Sequence, residues 1–137
     1  MANTPFHVEI LTPEGKVFDD EVAMVSTRTS VGSIGVLANH TPLLAMLDAC
    51  ELRLHAADGT VTSYAQGEGY LQVGGNHAML LVEEAIAAAD IDRADLEAKL
   101  AERKADLDGL EADSEAARVA ERDIRRYETF LAVGKSE

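Results

Sequence analysis

The sequence predicts a β + α protein, with an antiparallel β-sandwich or barrel in its N-terminal half and an antiparallel helical hairpin after it. Three observations predict this. Apolar residues alternate with period two between His7 and Val82, broken by turn signals about every eight to twelve residues. Near Asp90 the apolar period becomes helical. The charge changes character at the same place: residues 1–89 hold only Lys16, Arg28 and Arg53 of the 12 basic residues. The expected division is therefore 1–87 for the β part and 88–137 for the hairpin.

The strands follow in order. Val8 and Ile10 alternate with His7 and Glu9, and Thr12-Pro13-Glu14-Gly15 supplies a turn with Pro and Gly in favourable places. Val22 to Thr27 reads as a second, buried strand. Leu52, Leu54 and Ala56 alternate with Arg53 and His55 up to Asp58-Gly59, a hairpin signal whose two turn positions must accept positive φ. Val61 to Ala65 is the return strand. Gly74-Gly75-Asn76 then joins Tyr70–Val73 to Ala78–Val82.

In the helical part, Asp92 is the expected N-cap, with Asp95 adding negative charge to the first turn. At about 100° per residue, Leu96, Leu100, Leu107 and Leu110 share one face, and Ala94, Ala98, Ala101 and Ala105 the opposite one. Contacts are expected on both faces, the alanines allowing close approach of a neighbouring helix. Arg103 intrudes on the leucine side. The stretch Asp108-Gly109 to Asp113-Ser114 breaks the pattern. A second helix carries Ala120, Ile124, Tyr127 and Leu131 on one stripe, with Gly134 as its expected stop.

Composition excludes several function classes. A net charge of -13 argues against nucleic acid, whose phosphates require a basic face. No apolar run approaches the roughly 20 residues of a membrane-spanning helix, and "MANTPFHVEI" lacks the basic-then-apolar order of a signal peptide. A soluble cytoplasmic chain is expected, with no direct membrane insertion. Cys50 is the one cysteine, beside a strand, and reads as a small buried thiol rather than a nucleophile.

No catalytic set assembles. Gly67-Glu68-Gly69 begins like a dinucleotide loop, but Gln72 stands at the last glycine position and no helix follows. There is no phosphate-cradling P-loop. His7, His40, His55 and His77 show no zinc-type spacing to one another or to Cys50, so no metal site and no cofactor are expected. Glu83-Glu84 are adjacent in a strand and face opposite ways. The acidic cluster Asp106, Asp108, Glu111, Asp113 and Glu115 reads as a solvated bend. Arg118, Arg122, Arg125 and Arg126 share one side of the second helix. They form either a solvated surface paired with nearby acids or a contact for an acidic partner segment.

The most unusual stretch is "SVGSIGVLANHTPLLAML", Ser30 to Leu47, too polar in its middle for a core strand and too broken for a helix. No charged residue occurs from Thr29 to Leu47. Docking there would desolvate no ion.

With "GSIGVLANHTPLLAML", "GEGYLQVGGNHAMLLVEEA" and "AADID", essentially the whole chain resembles the epsilon subunit of bacterial F-type ATP synthases. The resemblance implies a sandwich of about ten strands followed by two helices. It implies a rotor subunit of the central stalk, in a proton-translocating enzyme at the cytoplasmic face of the bacterial plasma membrane. This subunit is non-catalytic; it turns with the gamma subunit, stands on the ring of c subunits and couples their rotation to ATP synthesis on the catalytic hexamer. By the same resemblance, Gly32, Ser33, Ile34, His40 and Pro42 lie at the end meeting the ring and gamma, although His40 reads equally as a structural residue. Ser33 replaces an acidic residue of some relatives. The arginines of the second helix would meet the beta subunit when the helices extend and oppose ATP hydrolysis. Some members bind ATP through Ile/Leu-Asp-x-x-Arg-Ala; here Asp95 and Leu96 replace the Arg and Ala, so no ATP binding is expected. An alternative is a hairpin adaptor for another machine, such as a transcript-cleavage factor, although those place the hairpin before the globular part. A ligand sensor using the β half is a third reading.

Overall fold

A computed structural model describes residues 4–135. Ten strands are followed by two helices: β1 (Phe6–Thr12), β2 (Gly15–Val22), β3 (Met24–Thr29), β4 (Gly32–Leu37), β5 (Leu43–Leu47), β6 (Cys50–His55), β7 (Val61–Gln66), β8 (Gly69–Gly74), β9 (His77–Val82), β10 (Ala85–Ala87), α1 (Arg93–Asp108) and α2 (Glu115–Lys135).

The strands hydrogen-bond in the order β10-β7-β6-β3-β5-β8-β9-β1-β2, with β4 on β3. The β3–β5 junction consists of a single residue pair, Thr29 with Leu47. There the sheet folds over on itself. One leaf holds β10, β7, β6, β3 and β4; the other holds β5, β8, β9, β1 and β2. Their inward side chains form one core: Val25, Val36, Leu52 and Leu54 from the first leaf meet Val8, Ile10, Leu71 and Leu80 from the second. Period-two alternation thus marks the core face, as pleat geometry requires. Every strand pairing is antiparallel except β1 with β9, which run parallel.

Several local expectations need correction. The run Val22 to Thr27 is not one strand, because Val22 ends β2, Met24 begins β3, and Ala23 lies between them. Within Ser30 to Leu47 the polar middle, residues 38–42, is a loop, but the flanks are strands β4 and β5, each with one solvated face and so exposing alternate residues. At Asp58-Gly59 only Gly59 has positive φ, at 94°. The turn that fits the two-residue hairpin rule is Gly75-Asn76, with φ 58° and 59°.

Asp92 caps α1, its side chain accepting a hydrogen bond from the Asp95 amide at 3.1 Å. Ser114 does the same for α2 through the Ala117 amide, also at 3.1 Å. The alanine face of α1 is not buried: Ala94, Ala98, Ala101 and Ala105 are all exposed. Close approach comes instead from α2, whose Ala117 and Ala120 are buried. Gly134 does not stop α2. It lies inside the helix, where an added Cβ would sit 3.1 Å from the Ile91 side chain.

The hairpin is folded down on the first leaf. Leu96, Phe130 and Val133 bury against Ala65 and Ala88, with Ile86, Ile91, Tyr127 and Leu131 around them.

Candidate functional site

Strand order decides which outward side chains become neighbours on the second leaf. Register places Met46 of β5 beside Tyr70 of β8, Tyr70 beside Leu81 of β9, and Leu81 beside Leu11 of β1. An apolar row therefore crosses four strands on the outer face. Leu44 is 71%, Met46 58%, Tyr70 51% and Leu81 42% exposed, an unusual concentration for a surface. Pro42, Leu43 and Leu44 line a shallow depression with Gln72 and Val73 at one end of it.

Gly32, Ser33 and Ile34 sit at the start of β4, just after the tight turn from β3. The Thr29 hydroxyl donates to the Gly32 carbonyl at 2.8 Å and accepts from the Val31 amide at 3.2 Å, fixing that turn. Val31 stands at its tip, 95% exposed. Ser33 pairs in register with Arg28, so a cation flanks the position where some relatives carry an acid. His40 and Pro42 follow the far end of β4, about 17 Å away at the rise of a strand. The structure therefore does not bring Gly32–Ile34 together with His40 and Pro42. His40 is partly buried, its Nδ1 2.7 Å from the Thr41 carbonyl. Its loop is tied to the β8–β9 turn by the Asn39 amide, which donates to the Asn76 side chain at 2.6 Å.

The four arginines of α2 also separate. Arg126 faces the sandwich, only 12% exposed at its side chain, 3.4 Å from Glu68, 3.1 Å from Asp123 and 3.8 Å from Glu84. Arg122 reaches Glu68 at 3.8 Å. Arg118 holds the bend by donating to the Asp113 carbonyl at 2.8 Å. Arg125 is exposed beside Arg122 and Asp48. The carboxylates of Glu68 and Asp123 push the Arg126 pKa up against the opposing effect of burial, so the guanidinium is a permanent cation.

This network explains two sequence anomalies. Arg103, the intruder on the leucine face of α1, meets the buried Asp123 at 2.7 Å. Glu68, read within a failed dinucleotide loop, is the sandwich's anchor for α2. Its flanking glycines serve packing: a Cβ on Gly69 would lie 1.9 Å from the Leu81 carbonyl oxygen, and one on Gly67 3.3 Å from Arg126. Asp95 pairs with Lys99 at 3.0 Å, and Leu96 is core.

Residues 5–88 match the family model for the ATP synthase delta/epsilon chain, beta-sandwich domain. The chain belongs to that family.

Its relatives include the sodium-ion-specific ATP synthase epsilon chain of Propionigenium modestum, 37% identical over 82% of this chain and 81% of that one. The chloroplastic epsilon chain of Pisum sativum is 34% identical over 90% of this chain and 89% of its own. In fold, the chain is similar to one in the mitochondrial ATP synthase of Euglena gracilis, with TM-score 0.75, 23% identity, and coverage of 93% of this chain and 80% of that one. Membership makes it a non-catalytic, central-stalk type of subunit, which couples rotation to chemistry performed elsewhere. The adaptor reading finds no support in these likenesses.

Proposed function

We propose that this epsilon-family chain grips the gamma shaft through the outer face of its second leaf and meets the c-ring through the β3–β4 turn. The observation that carries this is the row Met46–Tyr70–Leu81, apolar, exposed and continuous across three paired strands. Burying such side chains gains roughly 25 cal/mol per Å². Nothing charged between Thr29 and Leu47 needs desolvation. Pro42 and Leu44 extend the same face, so His40 and Pro42 fall to the gamma side. Val31, Gly32, Ser33 and Ile34 form the ring-facing tip. The chain works peripherally, at the cytoplasmic face of the membrane, because its place is on the rotor. No helix among the described residues is long and apolar enough to cross a membrane.

The folded-down hairpin engages Arg126 and Arg122 with the sandwich. Contact with an acidic segment of the beta subunit falls first to the exposed Arg118 and Arg125, and includes Arg122 and Arg126 only once Glu68 is released.

Co-purification with gamma tests the docking face. Tyr70→Glu should abolish association while leaving the circular dichroism spectrum unchanged; undiminished association removes this face from the interface. A single cysteine at Ser33, in a Cys50→Ser background, should cross-link to c-ring loops. Cross-links only to gamma would reverse the proposed orientation.

A further inference from the structure

The parallel pairing of β1 with β9 sets His7 directly beside His77, with Glu9 next along the same face of β1. The two imidazole rings are 5.3 Å apart at their centroids, tilted by 39°. Ligand atoms of His7, Glu9 and His77 all lie within 4.8 Å of one another. From this juxtaposition we propose a binding site for a divalent transition-metal ion of the zinc class, held by His7, Glu9 and His77.

The donor set suits such an ion. Two neutral imidazoles and one carboxylate form a common zinc ligand set, leaving a fourth position for water. Spacing fits as well. Two ligands at about 2.0 Å from a tetrahedral ion stand about 3.3 Å apart, and His77 Nε2 lies 2.8 Å from Glu9 Oε1. A small side-chain adjustment opens that edge. Despite its proximity to Glu9, His77 Nε2 is buried and makes no hydrogen bond of acceptable geometry. A buried polar atom without a partner is costly, and a metal bond would satisfy it.

The surrounding charges are compatible. Asp19 Oδ1 sits 2.5 Å from His7 Nε2, and its other oxygen pairs with Lys16 at 2.7 Å. Lys16 also touches Glu9 through Oε2, at 3.3 Å. Glu9 therefore keeps Oε1 for the ion while Oε2 stays with the lysine. Glu21, the register partner of His7, adds another carboxylate on this side of β2. Against these three acids stands one ammonium, so the field favours a cation. When metal binds, Asp19 exchanges its contact with His7 for an outer position or the fourth site. The bond would tie β1 to β9 across the parallel junction within the second leaf.

The test uses the untagged, chelator-treated full chain titrated with zinc chloride by calorimetry. One ion should bind with micromolar or tighter affinity and raise Tm by several degrees. Cobalt should give the intense visible bands of a four- or five-coordinate site. His7→Gln, Glu9→Gln and His77→Gln, each checked for folding by circular dichroism, should each weaken binding at least tenfold. Asp108→Asn with Asp113→Asn, at the acidic bend, should leave it unchanged. The inference is overturned by absence of binding at millimolar zinc, or by binding that survives loss of both histidines or disappears with the bend carboxylates.

Discussion

Arg103 and Asp123 stand 2.7 Å apart across the helical hairpin, and Asp123 also binds Arg126, which reaches Glu68 on the sandwich. A single buried carboxylate thus links α1, α2 and the β7–β8 connection of the sandwich. Replacing Asp123 with Ala leaves two guanidiniums facing each other without their shared anion. Removing one member of a buried ion pair costs about 3–5 kcal/mol. The side chain of Arg103 is 36% exposed and can turn to water, so we expect about 2–3 kcal/mol for Asp123→Ala. Urea unfolding measures the loss, and faster proteolysis of the 109–114 bend would locate it in the hairpin. Arg125→Ala, at an exposed position, should shift stability by no more than about 0.5 kcal/mol.

Gly69 is required by close approach of two strands. A methyl group there would enter the Leu81 carbonyl at 1.9 Å and the Val82 Cα at 2.7 Å. Backbone cannot yield as a side-chain tip does. Gly69→Ala should therefore destabilise by about 3 kcal/mol or more, read from the urea midpoint. It should also loosen the β8–β9 pairing that presents Tyr70 and Leu81, weakening association with gamma.

The sequence made local order legible and left distant pairing hidden. Alternation located β1 and β6 through β9 because these strands have one buried face; the Asp92 cap and the helical period located α1, and the period alone located α2. The strand β2 was invisible because Lys16, Asp19, Asp20 and Glu21 give it no apolar alternation; it is an edge with one long exposed side. The pairing of His7 with His77 joins residues 70 positions apart through a parallel register, which no spacing rule anticipates. Arg103 looked like an error in an apolar stripe because its partner, Asp123, lies on another helix. The apolar row Met46–Tyr70–Leu81–Leu11, the proposed docking face, required three registers to be known at once.

Cys50 should react slowly. Burial pushes its thiol pKa above the ordinary value of 9.0, outweighing the Arg28 backbone contact that favours the thiolate. The Thr27 hydroxyl is 3.4 Å from the sulfur and donates to Gln66 at 2.6 Å, while Gln66 donates to the Asp48 carbonyl at 2.8 Å. Because the folded-state pKa is raised, the native state holds the proton longer than the unfolded chain. This contribution to stability is complete below the unfolded pKa and declines as pH rises through the window between the two values. Cys50 is half-buried rather than buried, lining a surface cleft with Ser33 and Glu51. Iodoacetamide should label native Cys50 more slowly than the urea-unfolded chain at pH 8, and equal rates would contradict a raised thiol pKa.

ATP should bind weakly or not at all. The cleft between the helices has a volume of about 500 Å³ and is lined by Arg93, Glu97, Leu100, Lys104, Glu128 and Leu131. Its cations are already engaged: Arg93 donates to the Leu131 carbonyl at 3.0 Å, and Lys104 lies 3.8 Å from Glu128. Asp95, at the position where ATP-binding relatives carry an arginine, adds a carboxylate that repels phosphate. Leu96 cannot become Ala freely, since it is core and truncation there costs about 2–3 kcal/mol. Asp95→Arg is the cleaner change, on an exposed residue whose partner is Lys99. Calorimetry should show no saturable ATP binding by the native chain below millimolar concentration. Asp95→Arg should tighten it at least tenfold, or about 1.4 kcal/mol. Micromolar affinity in the native chain would show that the cleft holds phosphate without that guanidinium.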